Sequence, residues 1–182
     1  MSAYRLGTIG GVKITARPSA IIASIALWAI ATEVATAFFH ASLAAGIVQG
    51  LIVTLLHWLS DLLHQAGHAI AARSTGYPMT GLRLWYLLSS GLYPLDEPEL
   101  PARTHVRRAL GGPIMSLIVT VIAGVIAWLM GSAGSPYTWI AVFAFLDNLL
   151  IFTLGAFLPL GFTDGSTLLR LWRNRNAPPA LS

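Results

Sequence analysis

The chain has 182 residues, 55% of them hydrophobic and only 10% charged, with a mean hydropathy of +0.71, which excludes a soluble globular domain and defines an integral membrane protein. Cysteine is absent, so disulfides, thiolate metal sites and thiol nucleophiles are excluded as well. The net charge of +4 does not point to a nucleic-acid partner, because the basic residues are single and spread between apolar segments, where they report topology.

Residues 1–17 are not apolar enough to span a bilayer. Tyr4 to Ile9 and Val12 to Thr15 alternate loosely around Gly10-Gly11, the signature of a hairpin with a two-residue glycine turn, which places a small strand pair at the membrane surface. Pro18 opens a first apolar span over 18–39, since proline is tolerated in a first helical turn. A cleaved signal peptide is the competing reading, but the apolar run is longer than a typical signal core and the segment before it looks structured.

After a turn at residues 40–42, a second helix is expected over 43–73. His57, Asp61, His64, Gln65 and His68 fall within a sector of about 100° at helical spacing, a polar stripe on an otherwise apolar helix. Ionisable groups within a span face the bundle interior or a wet cavity, and they mark functional sites by default. Glu33 and Asp147 read as hydrogen-bonded packing groups.

Residues 74–104 form the longest polar connection, with a strand-like run from Gly81 to Leu88 and an acidic, proline-bounded segment, Pro94 to Pro101, that reads as a solvated loop. A third span is expected over 105–130, broken near its start by Gly111-Gly112-Pro113, and a fourth over 139–160, interrupted by Asp147-Asn148 and followed by Pro159 and the turn Gly161 to Gly165. A basic tail, Arg170 to Arg175, closes the chain. The expected architecture is a single membrane-embedded α-helical domain over 1–182, with about four spans, a small cytosol-side hairpin, no appended soluble domain and no repeat.

In this arrangement all 11 Lys and Arg residues fall on one side of the membrane, so the positive-inside rule places both termini in the cytosol. His68 lies five residues before Arg73, and Asp164 six before Arg170. Two spans therefore deliver metal-competent side chains to a similar depth on the cytosolic side. A lone membrane histidine is usually a packing residue, but His64 and His68 share one helix face and Asp164 adds a level carboxylate. Two imidazoles and a carboxylate suit zinc and leave a fourth position for water.

The sequence at this point resembles the site-2 proteases, intramembrane zinc metalloproteases. The resemblance rests on Ala16-Arg17-Pro18-Ser19 at the start of the first span, on His64 to Arg73 set against the family's His-Glu-x-x-His-Ala pattern, on Gly111-Gly112-Pro113, and on Leu158-Pro159 followed by Asp164-Gly165. It implies that His64 and His68 are the histidine ligands and Asp164 the third. It also implies a substrate that is itself a membrane helix, cut within or near the bilayer. The run Gly81 to Leu88 offers an edge to which an unwound segment could add as a strand.

Two departures bear on activity. The family's catalytic glutamate maps to Gln65, and the asparagine of its Asn-x-x-Pro segment maps to Ala156. Glutamine can hold a water but cannot take its proton, and general acid-base assistance is typically worth roughly 100- to 10,000-fold. Asp61, one turn before Gln65, either supports and orients the groups around the metal or acts as a substitute base through a water. An engineered Glu-to-Gln exchange would account for Gln65 alone and not for Ala156, nor for Thr163 and Ser166 in place of the family's usual leucine and glycine; natural divergence fits better. Three readings follow: a weakly active or inactive relative that keeps Zn2+ and binds transmembrane helices, a working intramembrane metalloprotease, and a metal-handling transport bundle.

Overall fold

A computed structural model describes residues 3–173, so Arg175 of the basic tail lies outside the described residues. Among these residues four helices are long and apolar enough to cross a membrane: α1 (Pro18–Ala37), α2 (Leu43–Ser74), α3 (Ala102–Ser132) and the composite span Thr138–Phe157. Large apolar side chains such as Ile22, Val121, Trp128 and Leu150 point outward, whereas the interior holds small or polar groups, including Ala35, Ser116, Asp61 and Asn148. That inversion is what a hydrocarbon solvent selects, since apolar side chains gain nothing by leaving lipid and polar ones lose by facing it.

Close helix packing is bought with glycine. Gly46 and Gly50 of α2 lie against Thr32, Thr36 and the Trp28 carbonyl of α1, and a Cβ at either position would collide with them. Gly67 of α2 faces Gly111 of α3 in the same way, each meeting the other's backbone. Gly111-Gly112-Pro113 does not break the third span; α3 runs through it without interruption. Pro113 removes one backbone donor, and the glycines serve the crossing rather than a turn.

The fourth span is irregular where Asp147-Asn148 suggested it would be. Helix α4 (Thr138–Leu146) gives way to a π-helical segment, Asp147–Leu154, and then to a 3-10 turn, Gly155–Phe157. The wider winding turns both Asp147 and Asn148 inward, where Asn148 donates to Ser60 Oγ at 2.7 Å. Helix α5 (Asp164–Arg173) follows a short loop.

A four-stranded sheet lies against the C-terminal half of α2 in the order β1-β2-β3-β4, from β1 (Tyr4–Ile9), β2 (Val12–Ala16), β3 (Gly81–Trp85) and β4 (Leu88–Leu92). The β1-β2 hairpin turns at Gly10 and Gly11, both with positive φ, as the glycine pair implied. Strand β2 then pairs parallel with β3, and β3 antiparallel with β4, leaving β4 at an edge. The run Gly81 to Leu88 is therefore not one strand. It reverses at Tyr86, a non-glycine residue in the left-handed region with φ 50, where no glycine or asparagine announced a turn.

Candidate metal centre

His64 and His68 stand one turn apart on α2, and Asp164 opens α5, so the local helix geometry aims two imidazoles and a carboxylate at one point. His64 Nε2 and His68 Nε2 are 3.0 Å apart, and Asp164 Oδ2 lies 3.6 Å from the first and 3.3 Å from the second. Ligands at about 2.0–2.1 Å from a tetrahedral zinc would be separated by roughly 3.3 Å, so these spacings fit one ion.

The far side of each ring is held. His68 Nδ1 lies 2.8 Å from the Arg108 carbonyl, which can only accept, so the hydrogen sits on Nδ1 and Nε2 presents a lone pair. His64 Nδ1 meets Ser116 Oγ at 2.9 Å, and Ser116 is wholly buried. Fixing the outer nitrogen sets the tautomer and orientation of a metal-binding imidazole. Gly112 completes the fit by omission, since a Cβ there would overlap His68 Nε2 and the His64 ring.

The three groups line a cavity of about 580 Å³, bounded on one side by β4 and on the other by the end of the fourth span. Gln65 and Asp61 share that wall, as does Ala156. Gln65 Nε2 donates to the Ser89 carbonyl of β4 at 3.3 Å, and Asp61 lies against the same residue. Gln65 Oε1 and Asp61 Oδ2 are buried acceptors without a donor among the described residues. Beyond Gln65 a second, apolar cavity lies between the sheet and α2, lined by Ile14, Leu62, Met79 and Leu82.

His57 Nδ1 meets Asp147, at 3.1 and 3.2 Å to the two carboxylate oxygens. Two expectations need correction. The acidic segment is more than a solvated loop, because Glu97 makes a two-point bond to Arg108 at 2.6 and 2.9 Å, and Arg108 also stacks over Tyr93 with 4.1 Å to the ring centroid. Glu33 is exposed on α1 rather than packed. Thr163 and Ser166 tie the loop before Asp164: Thr163 Oγ1 bonds the Leu158 carbonyl and meets Ser166 Oγ at 3.0 Å, and Ser166 Oγ accepts from Gly161 N at 2.7 Å. Ser116 and the Arg108 carbonyl, which orient the rings, carried no sequence signal, since neither spacing nor residue type distinguishes them within α3.

An inward polar stripe, a helix pair crossing at glycines and a carboxylate at the start of α5 thus converge on one cleft. The fold matches the Site-2 Protease from Methanocaldococcus jannaschii with a TM-score of 0.68, over 98% of this chain and 74% of that one, at 14% sequence identity. In sequence the chain is 28% identical over 185 residues to the protein described as "Putative zinc metalloprotease Rip3" in two strains of Mycobacterium tuberculosis, ATCC 35801 / TMC 107 / Erdman and ATCC 25618 / H37Rv. The alignment takes in 94% of this chain but 44% of the relative, so the chain spans less than half the length of the curated relatives it matches. No family model matches the sequence. In fold and in sequence together, the chain resembles the site-2 protease family.

Proposed function

We propose that this chain is a membrane-embedded zinc protein of the site-2 protease type that binds transmembrane segments and hydrolyses them poorly or not at all. The observation that carries this reading is the convergence of His64 Nε2, His68 Nε2 and Asp164 Oδ2 beside a glutamine. His64, His68 and Asp164 would hold the zinc, which would supply Lewis acidity and lower the pKa of a water to about 7.

The rest of the chemistry belongs to side chains. Gln65 reaches into the cleft and can orient a bound water or carbonyl, but an amide does not accept a proton at neutral pH, so the transfer to a leaving amine has no carrier at that position. Ala156 offers no polar group where the family pattern has asparagine. Strand β4 presents an open edge along the same cleft, and an unwound segment of a membrane helix would find backbone partners there. The distribution of arginines and lysine favours a cytosolic location for the centre and for both ends of the described chain.

A second reading, an active protease, is favoured by Asp61: it lines the cleft one turn before Gln65 and keeps a carboxylate oxygen without a donor. Metal analysis of the purified protein, followed by cleavage assays, separates the two. About one zinc per chain, lost in His68→Ala and Asp164→Ala, with cleavage of a model transmembrane segment gained at least 100-fold in Gln65→Glu, is expected. Chelator-sensitive cleavage by the unaltered chain that disappears in Asp61→Asn would establish the second reading instead, and a folded protein without zinc would overturn both.

A further inference from the structure

His57 lies outside the proposed metal centre, yet it is among the most enclosed polar residues, at 4% exposure. Both ring nitrogens are engaged: Nε2 lies 2.8 Å from the backbone carbonyl of Leu87, and Nδ1 faces both oxygens of Asp147. A carbonyl only accepts, so Nε2 carries a hydrogen. A second proton then lies between Nδ1 and the carboxylate, and the pair is neutral as a unit.

Leu87 sits in the turn between β3 and β4, next to Tyr86 in the left-handed region. Helix α2 therefore grips this hairpin at two places: His57 holds the tip through the Leu87 carbonyl, and Gln65 holds β4 through the Ser89 carbonyl. His57 and Gln65 are separated by about 12 Å along the helix at 1.5 Å per residue. The tip thus reaches into the apolar part of α2, where a carbonyl without a donor would be costly because lipid supplies none. Asp147 enters from the fourth span, turned inward by the π-helical winding that begins with it.

We propose that His57 and Asp147 are a positioning pair that docks the tip of the β3-β4 hairpin and so sets the height of the β4 edge over Gln65 and the metal centre. The consequence for substrate rests on the proposed reading of β4 as the edge that receives an unwound segment; the docking itself does not. Asp147 orients the imidazole, the imidazole satisfies the tip carbonyl, and β4 is thereby held along the cleft instead of swinging with its turn.

The test is backbone hydrogen exchange over residues 86–92 in the purified full chain, with zinc measured on the same samples. His57→Phe is expected to speed exchange at this hairpin at least tenfold while zinc per chain stays at the wild-type value. Asp147→Leu should act in the same direction. Asp147→Asn should stay close to wild type, because its amide can donate to Nδ1 and leave the Nε2 hydrogen on the Leu87 carbonyl. Unchanged exchange in a folded His57→Phe protein would overturn the proposal, and so would Asp147→Asn as loose as Asp147→Leu. Where His57→Phe does not fold, the contrast between the two Asp147 variants decides. Exchange that responds as expected in a protein that never binds zinc would leave the docking pair standing and remove the proposed metal function.

Discussion

A methyl group at position 112 would land on His68 Nε2 and the His64 ring, so the absence of a side chain there is what lets α3 pass directly beneath the two imidazoles. Alanine is the better helix former by about 1 kcal/mol, and Gly112→Ala on propensity alone would stabilise α3. Steric overlap predicts the opposite at the site: the rings must turn away, and zinc affinity should fall by at least tenfold, measured by competition with a chromophoric chelator, while helix content by circular dichroism is unchanged. Equal zinc affinity in the variant would show that the rings have slack that the close approach denies. The same reasoning separates Gly112 from Gly67 and Gly111, whose missing side chains serve the backbone-to-backbone crossing and not the ligands.

At the level of elements, what the sequence made legible follows from which constraints are local. The glycine pair at 10–11, Pro18 at the start of α1 and the irregular winding at Asp147-Asn148 are written in residues that act within a turn of themselves, and each led to the right local feature. His64, His68 and Asp164 were legible as a level set because helix spacing and the positive-inside rule fix depth without tertiary knowledge. The β3-β4 turn was not, because Leu-Trp-Tyr-Leu-Leu contains no turn residue and the reversal is stabilised from outside, by His57 on a different element. Arg108 was also illegible: its side chain clamps Glu97 while its carbonyl orients His68, two long-range duties that no periodicity records. The clamp makes a prediction for the connecting segment. Arg108 holds the Glu97 carboxyl below the ordinary glutamate range, so the pair contributes stability above the unfolded value of about 4.3 and loses it as pH falls through the depressed folded value. Glu97→Gln should cost about 1–3 kcal/mol at neutral pH by removing charged hydrogen bonds to a buried guanidinium, and should flatten the fall in stability below about pH 4.3. A stability profile in acid identical to that of the wild type would show that the ion pair contributes nothing.

For the whole molecule, the ordering of charge along the chain and the position of the sheet make one geometric statement. Lys13, Arg73, Arg83, Arg103 and Arg170 gather at the end of the bundle that carries the sheet and the proposed centre, while the opposite turns, at residues 38–42 and 133–137, carry no lysine or arginine. A cationic end resists translocation, so the sheet end should lie in the cytosol, and a bound membrane segment would then meet the centre near the inner surface and not at mid-bilayer. Because the chain has no cysteine, single-cysteine labelling reads this directly. Ala133 and Glu99 are exposed at opposite ends, and neither is placed in the proposed centre. In intact cells, Ala133→Cys should react with an impermeant maleimide and Glu99→Cys should not, with Glu99→Cys becoming reactive only after permeabilisation. The reverse pattern would invert the topology and put the cleft on the outer face, where the substrates available to it would be a different set of segments. Labelling of both positions in intact cells would contradict an odd number of spans between them, and with it the reading of α3 as a membrane-crossing helix.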